Sequence, residues 1–160
     1  MSYLLRMINW KTCIILSLIV LPALIVLNFY GLYTDRFYLF KVDNYIFPLL
    51  SLVHFLYLYV IWFKISESEY VDPQMRNVEY GLYAILLVYI FKASDTAYVL
   101  LNASQFDAYL LPDSFQAMGI TVLSLQLLLI FLTLLTFTHR RREIGPYNFD
   151  NINENIDSWQ

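Results

Sequence analysis

Apolar positions fall into four long runs separated by short polar stretches, at residues 11–30, 45–65, 80–101 and 118–138. A helix rises about 1.5 Å per residue, and the hydrocarbon core of a bilayer is about 30 Å thick, so roughly 20 apolar residues span it. The four runs meet that length. The pattern predicts an all-α integral membrane protein, an antiparallel four-helix transmembrane bundle running up-down-up-down with short loops.

The third run is the most informative. From Tyr80 to Phe91 it is uninterrupted, but that stretch covers only about 18 Å. To cross a membrane the helix must continue through Lys92, Ala93, Ser94, Asp95 and Thr96 to Leu101. Two charges then lie inside the span, at a depth where they cost several kcal/mol unless paired, hydrated or neutral. Lys92 and Asp95 are three residues apart, so a helix sets them on one face, together with Tyr89 and Thr96, and they are expected to pair.

In chain order, a short head carries Arg6 and Trp10. The first span holds Pro22 near its middle, where a kink is expected. Residues 31–44 read as a loop lying on the membrane surface. The second span has Pro48 in its first turn, His54 at its centre, and Trp62 and Lys64 at its far end. Residues 66–79 read as a polar linker broken by Pro73, and residues 102–117 as a loop in which Pro112 opens a turn. His139 and the three arginines Arg140, Arg141 and Arg142 stop the fourth span. The organisation is thus a four-span transmembrane domain over residues 1–142 and an acidic tail over residues 143–160.

Composition agrees with a lipid-facing chain. Of 160 residues, 59% are hydrophobic and only 14% charged, where soluble domains carry about 25% charged. The formal net charge of −3 gives no reason to expect a nucleic-acid partner. The single cysteine, Cys13, excludes an internal disulfide and any two-thiol redox motif.

Seven of the ten lysines and arginines fall on one side of the predicted spans: Arg6, Lys11, Lys64, Arg76 and the three tail arginines. Arg36 and Lys41 fall on the other, and Lys92 lies within a span. The positive-inside rule puts both termini and the 66–79 linker in the cytoplasm. A plasma or bacterial inner membrane is the expected location.

With the spans aligned, His54, Lys92, Asp95, Gln126, Tyr89 and Thr96 share one layer from the midplane outward, with Ser51 and Asn28 nearby. Polar groups at such depth are expected to face the bundle interior and bond one another. This layer is the candidate ion or ligand site. It serves equally as glue that fixes helix register.

No catalytic residue, metal site or cofactor is expected. Two histidines and one cysteine do not make ligand clusters, no strained Gly-x-Ser-x-Gly turn is present, and the four glycines are scattered. In the tail, Phe149, Ile152, Ile156 and Trp159 recur at helical spacing among acidic residues. An acidic amphipathic segment is repelled by anionic lipid and suits a cytoplasmic protein partner. The expected function is that of a non-enzymatic subunit or sensor in a homo-oligomer or larger membrane complex. A proton or cation channel or transporter component using the intramembrane polar residues is the alternative.

Overall fold

A computed structural model of the chain describes residues 8–103 and 111–147. Four long helices dominate it: α1 (Trp10–Leu27), α2 (Ile46–Ser66), α3 (Pro73–Leu101) and α4 (Phe115–Glu143). Between α1 and α2 lie a small antiparallel hairpin, β1 (Tyr30–Gly31) with β2 (Arg36–Phe37), and a 3-10 turn over Val42–Tyr45.

Each helix packs chiefly against two neighbours, so the bundle closes as a ring in the order α1, α2, α3, α4. Cys13 at the start of α1 meets Thr136 near the end of α4, with Sγ and Oγ1 3.3 Å apart. Gly119 at the start of α4 lies against Leu100 at the end of α3. In these contacts α4 runs opposite to both α1 and α3. One end carries the hairpin; the other carries residues 67–72 and the end of α4.

Burial is inverted relative to a soluble bundle, whose helices turn their polar faces to solvent. Outward positions are apolar, including Ile15, Ile19, Leu49, Leu52, Leu87 and Phe91. Inward positions include Ser17, Ser51, His54, Thr133 and Thr136, all buried. The buried hydroxyls are satisfied within their own helices. Ser17 donates to the Cys13 carbonyl (2.9 Å), Ser51 to Phe47 (2.8 Å), Thr133 to Leu129 (2.7 Å) and Thr136 to Leu132 (2.8 Å). Around them pack Leu21, Leu58, Ile61, Leu82, Leu129 and Leu132. All four helices are long and apolar enough to cross a membrane, and their apolar surfaces suit contact with lipid.

The helices differ from the sequence reading at their ends. The third begins at Pro73, not Tyr80, and takes in the second half of the stretch read as a linker. Asp72 caps it: its Oδ1 accepts the Met75 N–H at 2.6 Å, and Pro73 fills the first helical position, where a missing N–H costs nothing. Asp72 Oδ2 and Glu69 Oε2 both receive Lys64 Nζ, at 2.8 and 2.7 Å, and this clamp closes the tight connection from α2. Partial burial alone would raise the Asp72 carboxyl, but the bonds from Lys64 and the Met75 N–H outweigh it and hold the group below its ordinary value. The fourth helix runs on through His139 and the arginines to Glu143. The first ends at Leu27, because Asn28–Tyr30 turns into the hairpin, and it continues through Pro22 as one helix.

Helices α3 and α4 approach closely at Gly119. A Cβ there would lie 2.5 Å from Leu100 Cδ2 and 3.2 Å from its Cγ. Rotation of the Leu100 side chain makes room for one methyl group but not for an isobutyl group. Gly119→Ala is expected to unfold within about 1 kcal/mol of the parent, and Gly119→Leu to lose about 1–3 kcal/mol. Denaturation in mild detergent measures both; equal stability of the leucine variant would contradict the close approach.

Candidate functional site

The most concentrated polar chemistry in the described bundle lies at its tail end, around Glu79. This carboxylate has no exposed surface. Its Oε1 accepts from the Tyr83 hydroxyl (2.8 Å) and Arg140 Nη2 (2.6 Å). Its Oε2 accepts from Tyr57 (2.9 Å), Arg140 Nε (2.7 Å) and the Tyr147 hydroxyl (2.7 Å). Helix geometry supplies the first contact, since Tyr83 stands one turn beyond Glu79 on α3. Tyr57 comes from α2, Arg140 from α4 and Tyr147 from the segment beyond α4.

Arg140 is equally occupied. It pairs with Glu79 through two parallel bonds, the strongest geometry available to these groups. Its Nη1 donates to the Gly145 carbonyl at 3.0 Å, and its guanidinium carbon lies 4.2 Å from the centroid of the Tyr147 ring. Gly145 has φ of +105°, a backbone state that glycine adopts without strain, and it turns the chain back over the arginine. Burial, and then the bond to Glu79, push the Tyr147 phenol well above its ordinary value. A residue earlier, His139 Nε2 lies 3.0 Å from the Ile8 carbonyl and ties the chain before α1 to the end of α4. With all its acceptor directions filled and no exposed face, Glu79 offers nothing to a substrate. Chemically this is a tie between elements.

The layer expected from the sequence is dispersed over three environments. His54 and Tyr89 do meet in the interior: Nδ1 is 3.3 Å from the Tyr89 hydroxyl and the rings stack at 5.8 Å. His54 Nε2 is buried with no hydrogen-bond partner among the described residues. Lys92 and Gln126 are half-buried and line a cavity of about 30 Å³ with Asn28, room for one or two water molecules. Gln126 Oε1 is likewise buried without a partner. Thr96 is buried and donates back to the Lys92 carbonyl at 3.0 Å.

Asp95 departs most from expectation. It is exposed, no ion pair joins it to Lys92 among the described residues, and it opens into a separate cavity beneath the hairpin. Three residues of helix advance rotate by about 300° rather than a full turn, enough to direct the lysine and the carboxylate into different spaces. The tail residues Phe149, Ile152, Ile156 and Trp159 lie outside the described residues. Among the described residues, no three His, Cys, Asp or Glu side chains gather as a metal site would require.

The Glu79 centre is absent from the sequence reading, which assigned Glu79 to a linker and Arg140 to a basic stop. One signal was available: an acid before the third apolar run and a base after the fourth fall on the same side of an up-down bundle, and Tyr83 lies four residues from the acid. Charges at span ends are so common that the pairing needs the fold to be seen.

Removing one partner of a buried ion pair costs about 3–5 kcal/mol, because the other charge is left uncompensated. Glu79→Gln and Arg140→Gln are each expected to lose that much in detergent unfolding, and the double variant less than the two losses combined. Strictly additive losses would show that the two side chains do not act on each other.

Compared with family models, with curated proteins and with solved structures, the chain finds no match in any of the three.

Proposed function

We propose that this chain is a small integral membrane protein without enzymatic activity. In this reading it serves as an adaptor subunit or sensor, holding its acidic C-terminal tail at a fixed place beside the membrane for a cytoplasmic protein to bind. The bundle associates with copies of itself or with other membrane subunits. Both termini lie on the cytoplasmic side, as the distribution of Lys and Arg requires.

One observation carries the reading. The root of the tail is anchored to the bundle, through the Tyr147 hydroxyl on Glu79 and the Gly145 carbonyl on Arg140. A segment tethered at its root loses less freedom on binding than a free one, so a partner engages it at lower entropic cost. The stripe of Phe149, Ile152, Ile156 and Trp159 follows directly on that anchor.

Truncation after Tyr147 separates tail from anchor, because every contact of the Glu79 centre is kept. The truncated protein is expected to insert and unfold like the parent but to lose co-purifying cytoplasmic protein. Protease is expected to remove the tail of the full chain in inside-out vesicles and to leave it intact in right-side-out ones. Undiminished co-purification, or cleavage from the outer side, would refute the reading.

The orphaned His54 Nε2 and Gln126 Oε1 favour a second reading, in which the bundle conducts protons or cations. Asp95, Lys92, Gln126 and the His54–Tyr89 pair succeed one another from the hairpin end inward, and histidine exchanges protons readily. Liposomes containing the purified chain are then expected to dissipate a proton gradient, and His54→Asn to slow that leak. A tight gradient with the parent protein ends this reading.

A further inference from the structure

Asp95 is a carboxylate far along an apolar helix, and no side chain of the described residues bonds or pairs with it. A charge in such a place is costly unless something compensates it. The cavity it lines, about 410 Å³, falls within the size range of small-molecule sites. Tyr30, Tyr33 and Tyr38 line the same cavity, together with Thr96, the residue that follows Asp95, and Lys41.

The walls are built, not left over. The hairpin pairs Tyr30 with Phe37 and Gly31 with Arg36, and Tyr38 N–H donates to the Phe29 carbonyl at 2.7 Å. Asn28 and Asn44 brace the loop: Asn28 Nδ2 donates to the Asn44 carbonyl at 2.5 Å, and Asn44 Nδ2 to the Tyr38 carbonyl at 3.0 Å. The Tyr30 hydroxyl donates to Asp35 at 2.5 Å, and it lies 3.2 Å from Ser114 Oγ at the start of α4. Gly31 permits this close wall, because a Cβ would lie 2.6 Å from Tyr38 Cε2 and 2.8 Å from Thr34 Oγ1 and would force those side chains to shift. With no side chain at position 31, the edge of the Tyr38 ring occupies the space a Cβ would need, and Tyr38 forms part of the wall.

We propose that this cavity binds a small organic ammonium ion, with Asp95 as its counter-charge and the tyrosine rings around its apolar part. A carboxylate with aromatic faces beside it is the combination that recognises alkylammonium groups: the acid supplies charge and hydrogen-bond acceptors, and ring faces attract cations. Lys41 does not neutralise Asp95. Its ammonium lies 4.0 Å from Asp43, exposed, and its presence in the lining sets a limit on how far a ligand's positive charge extends toward it. The inference rests on the hairpin end alone and is independent of the tail and of ion conduction.

Calorimetric titration of the full chain in maltoside micelles tests it, with benzylammonium as probe and benzyl alcohol as the neutral control for partitioning into detergent. Saturable binding of benzylammonium only is expected. Asp95→Asn should weaken it about tenfold or more, the loss that follows removal of a hydrogen bond to a charged group. That variant is expected to keep its fold, because no side chain of the described residues bonds or pairs with the parent carboxylate. Lys41→Gln should bind as well as the parent or better. Gly31→Val, which displaces Tyr38, should weaken binding while Asp95 remains. Equal binding by the Asp95→Asn variant, no saturable heat from the parent, or loss with Lys41→Gln alone would each overturn the proposal, the last because removing a positive charge does not weaken a cation held by Asp95.

Discussion

The Glu79–Arg140 pair is the interaction on which the arrangement of the helices rests. Bringing a carboxylate and a guanidinium out of water costs several kcal/mol for each ion, and mutual attraction alone repays that only with excellent geometry. Here the geometry is bidentate, and three tyrosine hydroxyls fill the remaining acceptor directions of the acid. Those donors come from α2, α3 and the segment after α4, so satisfying one carboxylate fixes the relative positions of three helices and the start of the tail. An apolar cluster of the same volume would supply as much stability or more, but it would tolerate small slips between helices. The ion pair with its hydroxyls tolerates none.

The same reasoning explains the rest of the interior. Between helices immersed in lipid, apolar burial supplies no net drive, because acyl chains are as apolar as leucine. Association then depends on close packing and on polar contacts. Gly119 allows the approach of α3 and α4, and serine and threonine, back-bonded to their own helices, present small surfaces to neighbours without leaving a hydroxyl unsatisfied. Aromatic contacts such as Tyr83 against Phe137, with centroids 4.5 Å apart, fill the space that small residues leave.

The four helices were legible in the sequence because span length is a one-dimensional property: it needs only apolar residues in a row. Their ends were less so. Pro73 read as a breaker, yet with Asp72 before it the same proline is a helix start, and hydropathy does not report capping. Depth was legible too, since His54 and Tyr89 do meet. Azimuth was not. Lys92 and Asp95 are separated by three residues, and whether both enter one space depends on where the neighbouring helices and the hairpin stand. Glu79 and Arg140 were hidden for a related reason: 61 residues separate them, and neither carries a local mark that distinguishes it from an ordinary interfacial charge.

The two ends of the bundle are therefore unlike in a way that bears on function. At the tail end the buried Glu79–Arg140 pair is saturated by its partners, although His139 Nδ1 is buried there with no hydrogen-bond partner among the described residues. At the hairpin end a carboxylate, a histidine nitrogen and an amide oxygen have none of their hydrogen-bonding capacity used by the described chain. Stability gained at one end lets a bundle carry unsatisfied groups at the other, because marginal stability tolerates a few costly positions only where the remainder is well satisfied. Two helices join these ends: α3 carries both Asp95 and Glu79, and α4 runs from beside the hairpin, where Ser114 lies 3.2 Å from the Tyr30 hydroxyl, to Arg140, which holds the Gly145 carbonyl of the tail root.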